Sequence, residues 1–262
     1  MVTLWRWQRR LRIRSRFFMR NSKKIFVFDS INQLTRFVVK RWRQIARTAI
    51  KSRGIFTVAL SGGKTPVSLY RRLSQSKEKL PWTKTHLFLV DERLVSLASP
   101  RSNYGLIRRY LLKSLPMPQR NIHSLPADNA TLKASVRYYE KTIREFFGLS
   151  PQQFPRFDLV VLGIGEDGHT ASLFPSMPFS NKEKRLVVGV ARKDVKNKRV
   201  TITLPVINNA RNIFFLVVGK SKADVFRRVL EGSCFLPAGA VRPLKGRLLF
   251  LVDRTAASKI RG

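Results

Sequence analysis

Short runs of β-branched and aromatic residues recur along this chain, each followed by a stretch with helical spacing, and that alternation constrains the fold more than any other feature. The apolar runs lie at 25–28, 55–60, 86–90, 157–162, 186–190, 200–204, 213–218 and 248–252. The helical stretches lie at 30–50, 66–73, 102–113, 132–147 and 220–230, with a short turn near the C-terminus. Strand–helix alternation joins parallel strands through crossovers, and continuous apolar runs such as VVLG and FFLVV suit strands covered on both faces. The expectation is an α/β fold of three layers around a mostly parallel central sheet. The Pro-containing segments 115–118 and 150–155 read as loops and not as linkers. Residues 23–262 are therefore expected to form a single α/β domain.

Size permits such a fold, because 262 residues with 44% hydrophobic side chains can bury a full core. The longest apolar runs fall well short of the ~20 residues that span a bilayer. The only cysteine, Cys234, has no internal disulfide partner and no charged neighbour in sequence, so it reads as a reduced cytosolic core thiol. A cytoplasmic location is expected.

Charge is the unusual property: 52 Lys plus Arg against 15 Asp plus Glu give a formal +37. Such a field attracts anions, which suits either a nucleic-acid binder or an enzyme for a phosphorylated metabolite. The basic residues are spread along the chain, and no RNP-type aromatic sequence, zinc-finger spacing or basic zipper accompanies them. The enzyme reading is preferred, with nonspecific nucleic-acid adsorption at low salt but no specific nucleic-acid partner. Residues 1–22 differ from the rest of the chain: the opening MVTLWRWQRRLRIRSRFFMR carries no acid and interleaves Arg with apolar residues. This extension, disordered or an overlong start, has three readings: an amphipathic arm, an Arg-rich organelle transit peptide, or an upstream extension without a function of its own.

Ligands in open parallel sheets bind at the carboxyl ends of the strands, which singles out three loops. In LSGGKTP, Ser61, Gly62 and Gly63 turn sharply out of a strand, and Pro66 suits the first helical position. Paired glycines expose backbone amides there, and with Ser61, Thr65 and Lys64 nearby they make an anion site or else a plain tight turn. In VDER, Asp91 and Glu92 close a strand and Arg93 comes next, so that Arg93 either grips a phosphate or sits in an internal ion pair. In LGIGEDGHT, His169 stands beside Asp167 on a glycine-rich turn, and an imidazole so placed can take a proton from water and return it to a leaving oxygen. His86 and His123 lack such a setting and read as structural.

Two apparent nucleotide motifs fail. Gly63, Lys64 and Thr65 spell the end of a P-loop, but Val58 stands inside a strand where its first glycine is required. Gly163, Gly165 and Gly168 match a dinucleotide fingerprint, but Glu166 and Asp167 would repel a pyrophosphate.

Taken together, LSGGKTPVSLYRRL, VDERLV with RSNYGLIRRYLL, and FDLVVLGIGEDGHTASLFP resemble the 6-phosphogluconolactonase family. RVTITLPVINNARNIFFLVVGKSKADVFRRVL and LPAGAVRP with LLFLVD are similar to its later blocks, so the resemblance runs from about residue 23 to 257. It implies a Rossmann-like fold shared with amino-sugar phosphate deaminases, no metal, no organic cofactor, and a sugar-phosphate lactone as the small-molecule partner, in the oxidative pentose phosphate pathway. It also implies His169 as the base with Asp167 beside it, Gly62, Gly63, Lys64 and Thr65 at the substrate loop, Asp91 and Arg93 in the second block, and Arg199 as a further anion contact. The segment ARKDVKNKR departs from the family pattern, which leaves open which of Lys193, Lys196 and Lys198 meets the phosphate. Loop amides around Gly62 or Gly165 are the candidate oxyanion donors. No G-x-S-x-G elbow is present, so direct hydrolysis is expected. The alternatives are an amino-sugar phosphate deaminase and a nucleic-acid-binding protein on a retained enzyme fold; the oligomeric state, monomer or dimer, is left open.

Overall fold

The computed structural model describes residues 15–20, 23–76, 80–125, 131–191, 197–232 and 235–260. Residues 1–14, Lys193, Lys196 and Cys234 lie outside these, and side chains are described from Lys23 onward. The central sheet has eight strands: β1 (Ser15–Arg20), β2 (Lys23–Phe28), β3 (Phe56–Leu60), β4 (Thr85–Leu89), β6 (Ile122–His123), β7 (Leu159–Gly163), β10 (Asn212–Val217) and β11 (Arg247–Asp253). Their order is β1-β2-β11-β10-β7-β3-β4-β6. Every pairing is parallel except that of β1 with β2. The mostly parallel α/β architecture is as expected, and β1 falls within the basic stretch read as an extension.

Two expected strands lie elsewhere. β8 (Val187–Val190) and β9 (Arg199–Ile202) join β5 (Asp91–Arg93) in a separate antiparallel sheet of order β5-β9-β8. Asp91 to Arg93 thus form a short strand of their own, where Asp91 and Glu92 were expected to close the preceding strand. The cause is backbone satisfaction: beyond Leu89 the chain leaves β4, and the register Asp91↔Thr201 and Arg93↔Arg199 supplies its hydrogen bonds.

The helices arise from caps and apolar stripes. In α1 (Ile31–Arg53), Ser30 caps by accepting from Gln33 N, and Gly54 closes the end in the left-handed region. Leu34, Val38, Trp42, Ala46 and Ala49 form its buried stripe. Trp42 meets Phe56 and Trp82 at centroid distances of 5.4 and 5.9 Å. The next helix, α2 (Val67–Ser74), begins one residue later than expected, with Pro66 as its N-cap. α3 (Asn103–Tyr110) is capped by Ser102, and α4 (Leu132–Phe147) by Thr131. Two short helices went unforeseen, α5 (Leu204–Asn208) and α7 (Pro237–Ala240); each has Pro in its first turn and is too brief to show a period. Between them lies α6 (Ala223–Leu230). No helix among the described residues is long and apolar enough to cross a membrane.

Tyr139 of α4 finishes the edge of the sheet. Its hydroxyl accepts from Leu89 N at 2.7 Å and donates to Leu89 O at 2.6 Å, just past the two residues of β4 that β6 pairs. Beside it, His123 stacks on Phe88 at 4.1 Å, and its Nε2 lies 3.2 Å from His86 Nδ1.

Burial, reinforced by His86, lowers the His123 pKa to about 4 from the ordinary histidine value of 6.5. The unfolded chain therefore binds the extra proton between those values, so this contribution to stability is full above pH 6.5 and is lost as pH falls toward 4. A His123→Phe variant keeps the stack on Phe88 and should flatten that slope by on the order of 1–2 kcal/mol, measured by urea midpoints at several pH values.

Candidate active site

Three loops leave the carboxyl ends of β3, β4 and β7, and their side chains connect without a break. The first, at residues 61–65, forms a cradle of free backbone amides. Gly63 has φ +93, and among the described residues no acceptor takes the amides of Gly62, Gly63, Lys64 or Thr65. Four free amides on a turn ahead of α2 present partial positive charge to the cleft. Ser61 is buried, and its carbonyl accepts from the Tyr70 hydroxyl at 2.5 Å, which fixes the loop on α2. Gly62 is required by a close approach: a Cβ there would stand 1.8 Å from Asn103 Oδ1.

Asn103, the first residue of α3, links the cradle to the second loop. Its Nδ2 donates to Asp91 O at 2.8 Å and to Asp91 Oδ1 at 3.2 Å. The other carboxylate oxygen, Asp91 Oδ2, accepts from Ser172 Oγ at 2.6 Å. Asp91 is thus fully engaged, and it tethers the loops after β3 and β7 to one point.

Glu92 does a different job. It is wholly buried and accepts four hydrogen bonds: from Arg93 N and Asn103 N on Oε1, and from Ser102 Oγ and Tyr104 N on Oε2. A carboxylate on the first amides of α3 satisfies them and complements the helix dipole. Burial pushes its pKa up, the bonds from Tyr104, Asn103 and Arg93 pull it down, and Asp91 adds to the rise.

Arg93 and Arg199 face each other across β5 and β9. Like charges directly opposite on paired strands are destabilising unless an anion lies between them. Arg93 Nη1 donates to Arg101 O at 2.7 Å. Arg199 Nη1 donates to Ser172 Oγ at 3.4 Å, while its buried Nε has no acceptor among the described residues. Burial lowers the Arg199 pKa, Arg93 lowers it further, and Asp91 and Asp167 act against both.

In the third loop His169 Nδ1 lies 2.6 Å from Asp167 Oδ1, and Asp167 also accepts from His169 N at 3.1 Å. Burial alone would raise the Asp167 pKa, but its bonds to His169 outweigh that and bring it to about 2. The carboxylate is therefore ionised at neutral pH and favours the tautomer with hydrogen on Nδ1, leaving Nε2 as the acceptor. Glycine at 165 lets the ring lie against the loop, since a Cβ there would fall 2.1 Å from His169 Nδ1. Gly165 N donates to His169 O at 2.8 Å, so of the loop amides around Gly62 or Gly165 this one is already engaged. Ala171 takes a positive φ of 53° within the same loop. Strain of this kind gathers at functional turns. Phe174 completes the circuit, 4.8 Å from the His169 ring and 5.4 Å beneath the Arg199 guanidinium.

The expected residues therefore converge: Ser61 to Thr65, Asp91, Arg93, Asp167, His169 and Arg199 share one rim. Lys64 is exposed beside the cradle. Of the three lysines left open, Lys198 is described, and its carbonyl accepts from Leu94 N at 2.8 Å. Glu166, the other carboxylate of the glycine-rich loop, pairs with Lys222 at 3.6 Å. Reading by loops missed Asn103, Ser172 and Phe174, although all three sit inside the blocks RSNYG and GHTASLFP.

A family model described as glucosamine-6-phosphate isomerases/6-phosphogluconolactonase matches residues 29–250. The chain belongs to this family. The 6-phosphogluconolactonase of Synechocystis sp. is 41% identical over 81% of this chain and 88% of its own length. The human 6-phosphogluconolactonase is 35% identical over 89% and 92%. Among solved structures, 6-phosphogluconolactonase from Trypanosoma cruzi superposes with a TM-score of 0.81 at 28% identity, covering 93% of this chain and 99% of that one. A monomeric glucosamine-6-phosphate deaminase shares the fold, with a TM-score of 0.73 at 24% identity. In this family member Glu92 organises the site without facing the cleft. Glu92→Gln would turn an amide NH2 toward donors and should destabilise the fold by about 2–4 kcal/mol, read as a lower denaturant midpoint.

Proposed function

We propose that the chain hydrolyses 6-phospho-D-glucono-1,5-lactone to 6-phospho-D-gluconate, the lactonase step of the oxidative pentose phosphate pathway. The observation that carries this reading is the joining of an amide cradle and two opposed guanidinia to a carboxylate-oriented imidazole through Asn103, Asp91 and Ser172. Relatives above 30% identity that bear the lactonase name support it over the deaminase alternative.

In this mechanism the amides of Gly62 to Thr65, with Lys64, Arg93 and Arg199, hold the phosphate and fix the ring. His169 Nε2 takes a proton from water as its oxygen attacks the C1 carbonyl, while Asp167 stabilises the imidazolium. The tetrahedral oxyanion collapses by breaking the bond from C1 to the ring oxygen, and His169 returns the proton to that oxygen. Water is consumed, one carboxylic acid and one hydroxyl form, and no protein bond is made. With the amides of Gly62 to Thr65 on the phosphate and Gly165 N engaged by His169 O, the oxyanion donors fall to the other amides of the loop around Gly165. Asp91 acts through Asn103 and Ser172 and positions both halves of the site.

His169→Ala should lower kcat by roughly two to four orders of magnitude in a coupled assay of lactone hydrolysis, with KM much less affected. Single-turnover reaction in labelled water should place the label in the product carboxylate, and a trapped acyl-protein adduct would contradict the mechanism. Ammonia released from glucosamine 6-phosphate would overturn the assignment itself. The same reading keeps the enzyme in the cytoplasm, with organelle import as the alternative if residues 1–22 act as a transit peptide. The N-terminal sequence of the native protein decides between these.

A further inference from the structure

The opposite rim of the central sheet carries its own cationic cavity. Where β2 and β11 begin, an opening of about 480 Å³ is lined by Lys23, Lys24, Arg242 and Arg247, and none of its other lining residues is acidic. Lys23 is buried, and its Nζ donates to Val229 O at 2.5 Å in the last turn of α6. Among the described residues Lys24, Arg242 and Arg247 have no carboxylate partner, whereas Arg185, Arg227, Arg254 and Lys259 each do.

The backbone that carries these charges is held in place. Arg242 N donates to Asn208 Oδ1 at 2.8 Å, Leu244 N to Asn208 O at 3.0 Å, and Arg247 N to Arg211 O at 3.0 Å. Gly246 permits this path, because a Cβ there would come within 2.1 Å of Ala210 O. Arg41 stands close enough to Arg247 for the two to repel, and its buried Nε has no acceptor among the described residues. Cations kept together on a pinned backbone, around a concave opening, are stabilised by an anion that enters it.

We infer that this cavity is a second anion site, separate from the catalytic rim, and that it takes a small oligophosphate, a molecule with adjacent phosphate groups. Its volume falls within the range of roughly 300–1,000 Å³ that small ligands occupy. The concave opening suits a compact ligand, and several cations gathered on a pinned backbone suit several adjacent charges. A nucleic-acid strand would instead track an extended groove.

The test is calorimetric titration of the full chain with tripolyphosphate at about 0.15 M salt, where diffuse surface attraction is screened. Wild type should bind one equivalent in this cavity. Combined Arg242→Ala and Arg247→Ala should weaken that binding by roughly tenfold or more, and Lys24→Ala alone should weaken it less. Arg199→Ala should leave it unchanged, as should combined Arg108→Ala and Arg109→Ala, which remove two exposed charges from α3. Lactone hydrolysis by the cavity variants should match wild type, so the outcome does not depend on the proposed activity.

Equal weakening by the α3 variant would reduce the effect to net charge and overturn the site. Loss in Arg199→Ala alone would move the binding to the catalytic cleft, and absence of saturable binding would end the proposal. Displacement of tripolyphosphate by a single-stranded RNA at lower concentration, weakened by the same cavity variant, would replace the small ligand with a macromolecule.

Discussion

Two successive carboxylates, buried where the chain leaves β4, hold the functional face together. Asp91 receives Asn103 on one oxygen and Ser172 on the other, and Glu92 receives the start of α3. Neither is neutralised by a direct contact with a guanidinium or ammonium; both are satisfied by amides, hydroxyls and a carboxamide. Neutral donors can stabilise a buried anion without introducing another charge that must be desolvated. They also leave Arg93 and Arg199 without an ion pair to either carboxylate among the described residues. In a chain with 52 basic side chains and 15 acidic ones, an ion pair at this point would have been easy to form. It would have taken Arg93 or Arg199 away from the cleft.

That division of labour explains the arginines. Arg93 and Arg199 are held opposite each other by strand register, and their mutual repulsion is offset only partly by Asp91 and Asp167. Such repulsion between opposed guanidinia is the kind that an anion placed between them relieves. Phe174 supports both halves, since its ring lies under the Arg199 guanidinium and beside His169. The His169 imidazole and the Arg199 guanidinium thus share one apolar support, and their relative position is set by packing as well as by hydrogen bonds.

The central strands and the three loops were legible in sequence because each depends on local chemistry. A buried parallel strand is apolar throughout, a free-amide turn needs glycine, and a general base needs an imidazole beside a carboxylate. What was not legible depends on partners distant in the chain. Nothing in VDER announces that it pairs with residues 199–201, yet that register is what brings Arg93 to Arg199. Asn103 reads as an ordinary helix-start residue until Gly62 is seen to leave room for its side chain. Ser172 is one hydroxyl among many until Asp91 meets it. That Gly165 N is engaged was equally invisible, because the loop closes on its own amide through His169 O.

The distribution of charge sets the two ends of the sheet apart. At the carboxyl rim the scarce acids Asp91, Glu92 and Asp167 are placed among cations, where they position side chains and orient an imidazole. At the amino rim Asp158 performs a structural task, accepting from Thr57 N and Thr57 Oγ1 and pairing with Arg53. Among the described residues lining the opening at Lys24, Arg242 and Arg247 there is no acid. A field of +37 alone would attract anions everywhere on the surface and discriminate nowhere. Discrimination requires more than net charge, and the two rims arrange their donors in different ways. The carboxyl rim sets backbone amides and opposed arginines beside buried carboxylates, whereas the amino rim sets cations on a backbone pinned to Asn208 and Arg211.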